Sequence, residues 1–339
     1  MYTRFWKSLV LDERFWTLAR LVPWQGVLYR VCFLAGAARH GVLARLAEGP
    51  VSFDDLAARY APHPSGRDAL ESWLRVGCLV NELSLGPRGY ELKGFLARKL
   101  AMPLHDATAA FLEEIVTLHA RLLLETPGLL AQGRRFALAD ADGELIARSS
   151  RILEPVVAEA IRMNFPPQGP ARLLEVGCGS GTYLRHAAQL NPELSGRGLE
   201  LQAAVAEQAR KNLEQWELGG RFEIAVGDIR DQHPDPGSPF DLVTLHNNIY
   251  YFPVSERTAL LRHLRGFLRP GGLLLITTGT KGGAVGLELL SLWASATEGC
   301  GPLPESTELV EQLRDAGFEP EQPHQILPGQ AFYGFVGRT

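Results

Sequence analysis

The 339-residue sequence predicts an α/β fold, a mostly parallel sheet with helices on both faces, preceded by a mainly helical domain. Three observations carry this expectation. From residue 171 onward, short apolar runs alternate with helical patterns at the spacing of successive βα units. A glycine turn, Gly177-Cys178-Gly179-Ser180-Gly181, separates the first run from the first helix. Before residue 170 the apolar periodicity is helical almost throughout, with one short strand pair.

In order along the chain, residues 1–25 carry Tyr2, Phe5, Trp6, Phe15, Trp16 and Trp24 among Lys7, Arg14 and Arg20. Aromatics this dense are expected to pack as an arm on the chain itself or on a partner subunit, with an amphipathic membrane helix as the alternative. A helical pattern covers 27–46, broken at Gly41. Ser52 with Asp55 is a helix-starting signature, and Pro62-His63-Pro64 stops that helix after Tyr60. A third helix is expected over 68–76, then strands over 78–85 and 90–92 around Gly86-Pro87-Arg88-Gly89. Three helices and a strand pair make a winged-helix layout. The third helix carries Asp68 and Glu71 against Arg67 and Arg75, which is not the basic footprint of a DNA reader, so a packing or dimerisation module is expected. Helical segments over 106–163 then end in Pro166-Pro167-Gln168-Gly169-Pro170. The expected domains are 1–105, a helical bridge and linker over 106–170, and 171–339.

In the last domain, strands are expected over 173–176, 196–201, 222–226, 240–246 and 273–278, with helices over 182–190, 202–216, 255–268 and 305–316. The final pair, 318–326 and 331–336, has no crossover helix between its members, so the last strand must run antiparallel to its neighbour.

Composition sets the bounds. The content is 46% hydrophobic and 21% charged, as in ordinary globular chains, and the length suffices for two cores. A net charge of −4 gives no global attraction to nucleic acid or anionic membrane. Cys32, Cys78, Cys178 and Cys300 are scattered without metal-ligand or C-x-x-C spacing, which suits a reducing compartment. With no leader pattern and no run of about 18 apolar residues in view, a cytoplasmic protein without a membrane span is expected. His233 and Asp235 sit in a proline-rich loop and no other histidine or acidic pair has ligand spacing, so no metal is expected.

The glycine turn carries the chemistry. Glycine accepts positive φ and lets a ligand lie directly on the backbone. Dinucleotide sites want G-x-G-x-x-G, but here the third glycine falls one position early, at Gly181. Glu175, just before the turn, would repel a pyrophosphate and attract an α-ammonium group. That combination favours S-adenosylmethionine over NAD. Glu200 at the second strand end can accept from a ribose diol, Asp228 after the third from an adenine amino group, and Ile229 can pack on the ring.

With LLEVGCGSG at the first strand, Glu200, GDI around Asp228, FDLVTLHN at the fourth strand and LRPGGLLLI before the fifth, residues 171–339 resemble a class I S-adenosylmethionine-dependent methyltransferase. The resemblance implies a Rossmann-like seven-stranded sheet with its last strand antiparallel. It also implies cofactor contacts at Glu175, Gly177, Cys178, Gly179, Gly181, Glu200, Leu201, Asp228, Ile229 and Asn247. The stretch FLAGAARHGVLARLAEGPVSFDDLAARY is similar to the winged-helix dimerisation module of small-molecule O-methyltransferases, which implies a homodimer. In that family a catalytic-base histidine stands where this chain has Tyr250, and His246 is a candidate substitute. Tyr250, Tyr251, Phe252, Lys281 and Trp293 are the expected substrate residues. O-methylation of an aromatic or enolisable small molecule leads, with C- or N-methylation open. A cofactor-binding regulator or scaffold without methyl transfer is the alternative.

Overall fold

A computed structural model describes residues 10–339, so Tyr2, Phe5, Trp6 and Lys7 of the aromatic arm lie outside the described residues. The chain divides into two compact units, one ending at Thr117 and the other Leu118–Thr339.

The first unit begins with the helix Glu13–Arg39, whose N-terminus is capped by Asp12 accepting from the Arg14 amide at 2.9 Å. By length and composition this helix could cross a membrane, a feature the sequence reading had not anticipated. Its buried residues are confined to Phe33, Leu34, Ala35 and Ala37. These pack with Leu43, Leu56 and Leu74 from the helices Val42–Ala47, Phe53–Tyr60 and Arg67–Leu79. The Ser52 hydroxyl accepts from the Asp55 amide at 3.1 Å, as the capping pattern requires. Strand β1 (Leu83–Gly86) and strand β2 (Gly89–Leu92) form an antiparallel ribbon.

The strand expected from residue 78 starts only at Leu83, because Leu74 and Gly77 face the core and the helix continues through Cys78 to Leu79. The helix Asp106–Glu114 packs on Glu13–Arg39, with Arg39 paired to Glu113 at 3.2 Å. The segment 106–170 is therefore divided between the two units rather than forming one bridge.

The second unit is built on a sheet in the order β5-β4-β3-β6-β7-β10-β8. Its parallel strands are β3 (Ala171–Val176), β4 (Leu194–Glu200), β5 (Phe222–Val226), β6 (Phe240–His246) and β7 (Leu268–Gly279). Strand β10 (Phe332–Arg338) lies antiparallel beside β7. Alternation puts Leu242, Leu273 and Leu275 into the core on one face, and Val243, Leu274 and Ile276 into the core on the other. Both faces are covered by helices, so apolar residues face both ways along β6 and β7.

Two differences from expectation have local causes. Strand β7 starts at Leu268 rather than 273, because the Pro-Gly-Gly segment is absorbed as an irregularity where the β6–β7 register shifts between Phe240 and Leu242. The strand expected over 318–326 is split into β8 (Glu319–Pro320) and β9 (His324–Gln325), since Pro320 and Pro323 remove ladder donors there; both pieces pair with β10.

Gly77 gives a test of the first unit. A Cβ there would stand 2.3 Å from the Phe33 ring, so overpacking outweighs the gain of about 1 kcal/mol that alanine brings to a helix. Gly77→Ala should lower the melting temperature, and a rise would show that this helix contact is looser than described.

Candidate functional site

The strand order reverses between β3 and β6, and the cavity opens at the carboxyl ends of β3, β4 and β6. Its volume is about 440 Å³. One wall is the glycine turn after β3. Gly177 has φ +67°, and a Cβ on it would meet the Asn248 amide nitrogen at 2.7 Å, so only glycine fits. Gly179, at φ +54°, has nothing within 4 Å of where its Cβ would stand, so its backbone is open to a ligand. Gly181, at φ +79°, is the N-cap of the helix Thr182–Leu190 and does not line the cavity.

The turn is held from two sides. The amides of Gly177 and Cys178 both donate to the Leu199 carbonyl, at 2.8 and 3.0 Å. The Asn248 side chain donates to the Val176 carbonyl. Glu200 accepts from the Gly179 amide and from the Gln202 amide, each at 3.0 Å, one on each carboxylate oxygen. It therefore links the turn to the next helix and keeps a free lone pair on each oxygen for a further donor.

Glu175 is fully buried beneath the turn, and neither carboxylate oxygen has a hydrogen-bond partner. Burial, and secondarily the nearby Glu200 charge, hold its pKa well above the carboxylate range. It was expected to meet the ligand directly, but its carboxylate sits behind the wall and is absent from the lining. Cys178 lines the wall as a buried thiol whose pKa is raised, so it is not a nucleophile.

Leu201, Asp228 and Ile229 continue the wall. Asp228 accepts from the Arg230 amide at 2.9 Å and from the Arg230 guanidinium at 2.6–3.1 Å, which lowers its pKa and keeps it ionised. Arg230 also lies 5.6 Å from the Phe252 ring. Carboxylates at Glu200 and Asp228, with Glu175 behind them, suit a ligand that presents hydroxyl, amino and ammonium donors. A pyrophosphate would be repelled by these carboxylates. The open backbone at Gly179 and the unpaired Glu175 thus fit S-adenosylmethionine better than a dinucleotide.

The other end of the cavity is formed after β6. His246 is buried, with Nδ1 2.9 Å from the Thr277 hydroxyl and its ring edge-on to Tyr183. Burial lowers its pKa to about 3, so the imidazole is neutral and a weak base. Asn247 follows at φ +55°, an uncommon conformation for a residue with a side chain, and its backbone amide donates to the Thr277 carbonyl at 2.8 Å. Tyr250 and Tyr251 stack at 5.1 Å and, with Phe252, line the wall.

Two expected substrate residues fall elsewhere. Trp293 is buried edge-on behind Tyr250 and Tyr251, at 6.2 and 5.3 Å, and supports them without reaching the cavity. Lys281 is exposed and away from the lining, because its amide bonds the Pro304 carbonyl at 3.0 Å in a loop past the sheet.

Sequence reasoning missed several wall residues. Leu138, Ala141, Ile146, Ala147 and Arg151 cover the cavity from the helix Gly143–Ser149 and its flanks. No local signal marks them, since their role arises where Gly143 passes close to the Gln202 side chain. Asn248, Tyr183 and Arg230 adjoin recognised motifs, and the Asn247-Asn248 doublet at a strand end was the available sign.

Residues 174–274, the span containing the turn, Glu200, Asp228 and Asn247, match the family described as "Methyltransferase domain". Residues 174–274 thus carry a methyltransferase domain. The chain is 29% identical over 195 residues to a ubiquinone biosynthesis O-methyltransferase of Xanthomonas axonopodis pv. citri, covering 56% of this chain and 78% of that one. To a demethylspheroidene O-methyltransferase of Rhodobacter capsulatus it is 27% identical over 198 residues, 56% of this chain and 48% of the other. Among solved structures, the mitomycin 7-O-methyltransferase MmcR superposes with a TM-score of 0.75 at 20% identity, over 95% of this chain and all of that one. Human N-acetylserotonin methyltransferase, in complex with SAM, does so at 0.70 and 16%, over 97% and 99%. At these identities the superpositions establish the fold.

Burial shifts Glu175 and His246 in opposite directions. Glu175 has a raised folded-state pKa, so its stability contribution is lost as pH rises above about 4.5. Glu175→Gln should therefore melt higher than wild type at pH 8 while binding S-adenosylmethionine at least tenfold more weakly. Unchanged affinity would remove Glu175 from cofactor binding. His246 has a depressed folded-state pKa, so stability is lost as pH falls from 6.5 towards about 3, at roughly 1.4 kcal/mol per pH unit. His246→Gln should flatten that acid limb of a urea titration, and an unaltered limb would contradict the burial of a neutral imidazole.

Proposed function

We propose that the enzyme methylates a small-molecule acceptor in the cytoplasm, with oxygen favoured over carbon or nitrogen and an aromatic or enolisable acceptor. The observation that carries this reading is the asymmetry of one cavity, with carboxylates at the glycine-turn end and stacked tyrosines beside a neutral histidine at the other. Stacked rings favour a flat acceptor. Names of relatives agree: the Xanthomonas enzyme belongs to ubiquinone biosynthesis, and a neighbouring structure holds 1,4-dihydroxy-2-naphthoic acid. The regulator or scaffold alternative is not favoured, since the Arg67 and Arg75 side chains are paired with Asp54 and Glu71. Four unpaired cysteines agree with a reducing compartment.

When bound, the cofactor supplies an electrophilic methyl group on a sulfonium. The chain's residues then have positioning work: Glu200 and Asp228 orient the nucleoside end, Glu175 lies beneath the turn where a ligand's positive charge would favour its ionised form, and Tyr250 and Tyr251 face the acceptor and exclude water. His246 is too weak a base to deprotonate a phenol of pKa near 10 effectively. The acceptor therefore reacts as an anion formed in solution, or through an atom that carries no proton.

Methyl transfer assayed against phenols spanning about three pKa units near 10 tests this directly. Each rate profile should inflect at the acceptor's own pKa, and His246→Gln should cost less than the roughly 10²-fold expected for a general base. An inflection common to all acceptors, with a large His246→Gln loss, would identify an enzyme base. No transfer to phenols, amines or enolisable acids would remove the enzymatic reading.

The same reading includes a homodimer. Trp16, Leu21, Trp24 and Leu28 of the helix Glu13–Arg39 are each more than half exposed, a larger apolar face than monomers usually show. A second copy covers it, as the similarity of the adjoining segment to a dimerisation module implies. Sedimentation should give a dimer that Trp24→Glu/Leu28→Glu dissociates. A monomer that instead floats with lipid vesicles would assign the helix to a membrane.

A further inference from the structure

Arg257, in the helix Val254–Arg265, is the largest fully buried side chain among the described residues, and no carboxylate forms an ion pair with it. Burial lowers its pKa only to about 10, so it stays charged at neutral pH. Glu308 supplies a favourable charge without forming an ion pair, and a buried cation so placed is costly unless its N–H groups are used. Here Nε donates to the Phe252 carbonyl at 3.1 Å and Nη2 to the Pro302 carbonyl at 2.6 Å, while Nη1 has no partner.

Those two carbonyls belong to different loops on the same wall. One loop carries Tyr250, Tyr251 and Phe252, and the other carries Glu298 and Gly299. A backbone bond also joins them, from the Gly301 amide to the Tyr250 carbonyl at 3.0 Å. At Gly301 a Cβ would stand 3.1 Å from Arg257 Nη2, from the Phe252 carbonyl oxygen and from the Val254 amide. The junction is closed to the size of glycine.

We propose that Arg257 is a positioning residue that staples these two loops and so sets the shape of the acceptor end of the cavity, leaving the cofactor end untouched. The inference rests on the reading of that end as the acceptor site, but the staple itself is tested without any acceptor. In hydrogen–deuterium exchange of the full chain with S-adenosylhomocysteine bound, Arg257→Met should speed amide exchange in residues 249–253 and 298–303 by at least tenfold. Exchange in 172–181 and the dissociation constant for S-adenosylhomocysteine should stay within about threefold of wild type. Arg257→Lys, which keeps the charge and can reach one carbonyl, should restore part of the protection. Gly301→Ala, with the arginine intact, should reproduce the loosening by wedging the junction.

Unchanged exchange in both loops of Arg257→Met would overturn the staple. So would equal loosening throughout the unit with loss of S-adenosylhomocysteine binding, which would make Arg257 a general core residue. If the loops loosen as expected while the phenol screen fails, the staple stands and the acceptor assignment falls.

Discussion

The glycine turn can bind a ligand only because it is pinned on both sides by other strands. Its first two amides share the Leu199 carbonyl of β4, and the strand leading into it is held by the Asn248 side chain after β6. A chain with positive φ at Gly177, Gly179 and Gly181 would otherwise sample many conformations, since glycine loses the most freedom on ordering. Glu200 completes the arrangement by taking one amide from the turn and one from the next helix. A carboxylate proposed to read a ribose is thus also part of the scaffold that shapes its own site.

Charge is distributed along the cavity with a clear gradient. Glu175 is left unpaired beneath the turn, and its burial makes the ligand-free protein store a cost that a cation at that end would relieve. At the opposite end the only histidine on the wall is stripped of basicity, tied through Nδ1 to Thr277 and edge-on to Tyr183. Attraction at one end and neutrality at the other favour a cationic cofactor and a reaction that relies on alignment. Arg257 suits this division, because it adds rigidity to the acceptor wall without placing its charge on it.

The long helix Glu13–Arg39 shows how composition can mislead when burial is uneven. Its C-terminal third is in the core of the first unit, whereas Trp16, Leu21 and Trp24 remain exposed. Pro23 lies inside it without ending it, so the helical pattern read from residue 27 starts already at Glu13. The helix and the strand ribbon after it were visible as periodicities, but their extents were decided by single contacts such as Gly77 against Phe33.

The parallel sheet, the glycine turn and the strand-end acids at Glu200 and Asp228 could be read from the sequence because each depends on local chemistry: apolar runs, positive φ, and a carboxylate at a fixed step after a strand. The antiparallel last strand followed from the missing crossover. Tertiary structure decided what depends on distance through space. It enclosed Glu175 instead of exposing it, moved Lys281 and Trp293 off the wall, brought in the 138–151 segment, and buried His246 until its basicity was lost. Burial and desolvation are properties of everything packed around a group, and residues far apart in the chain supply that packing.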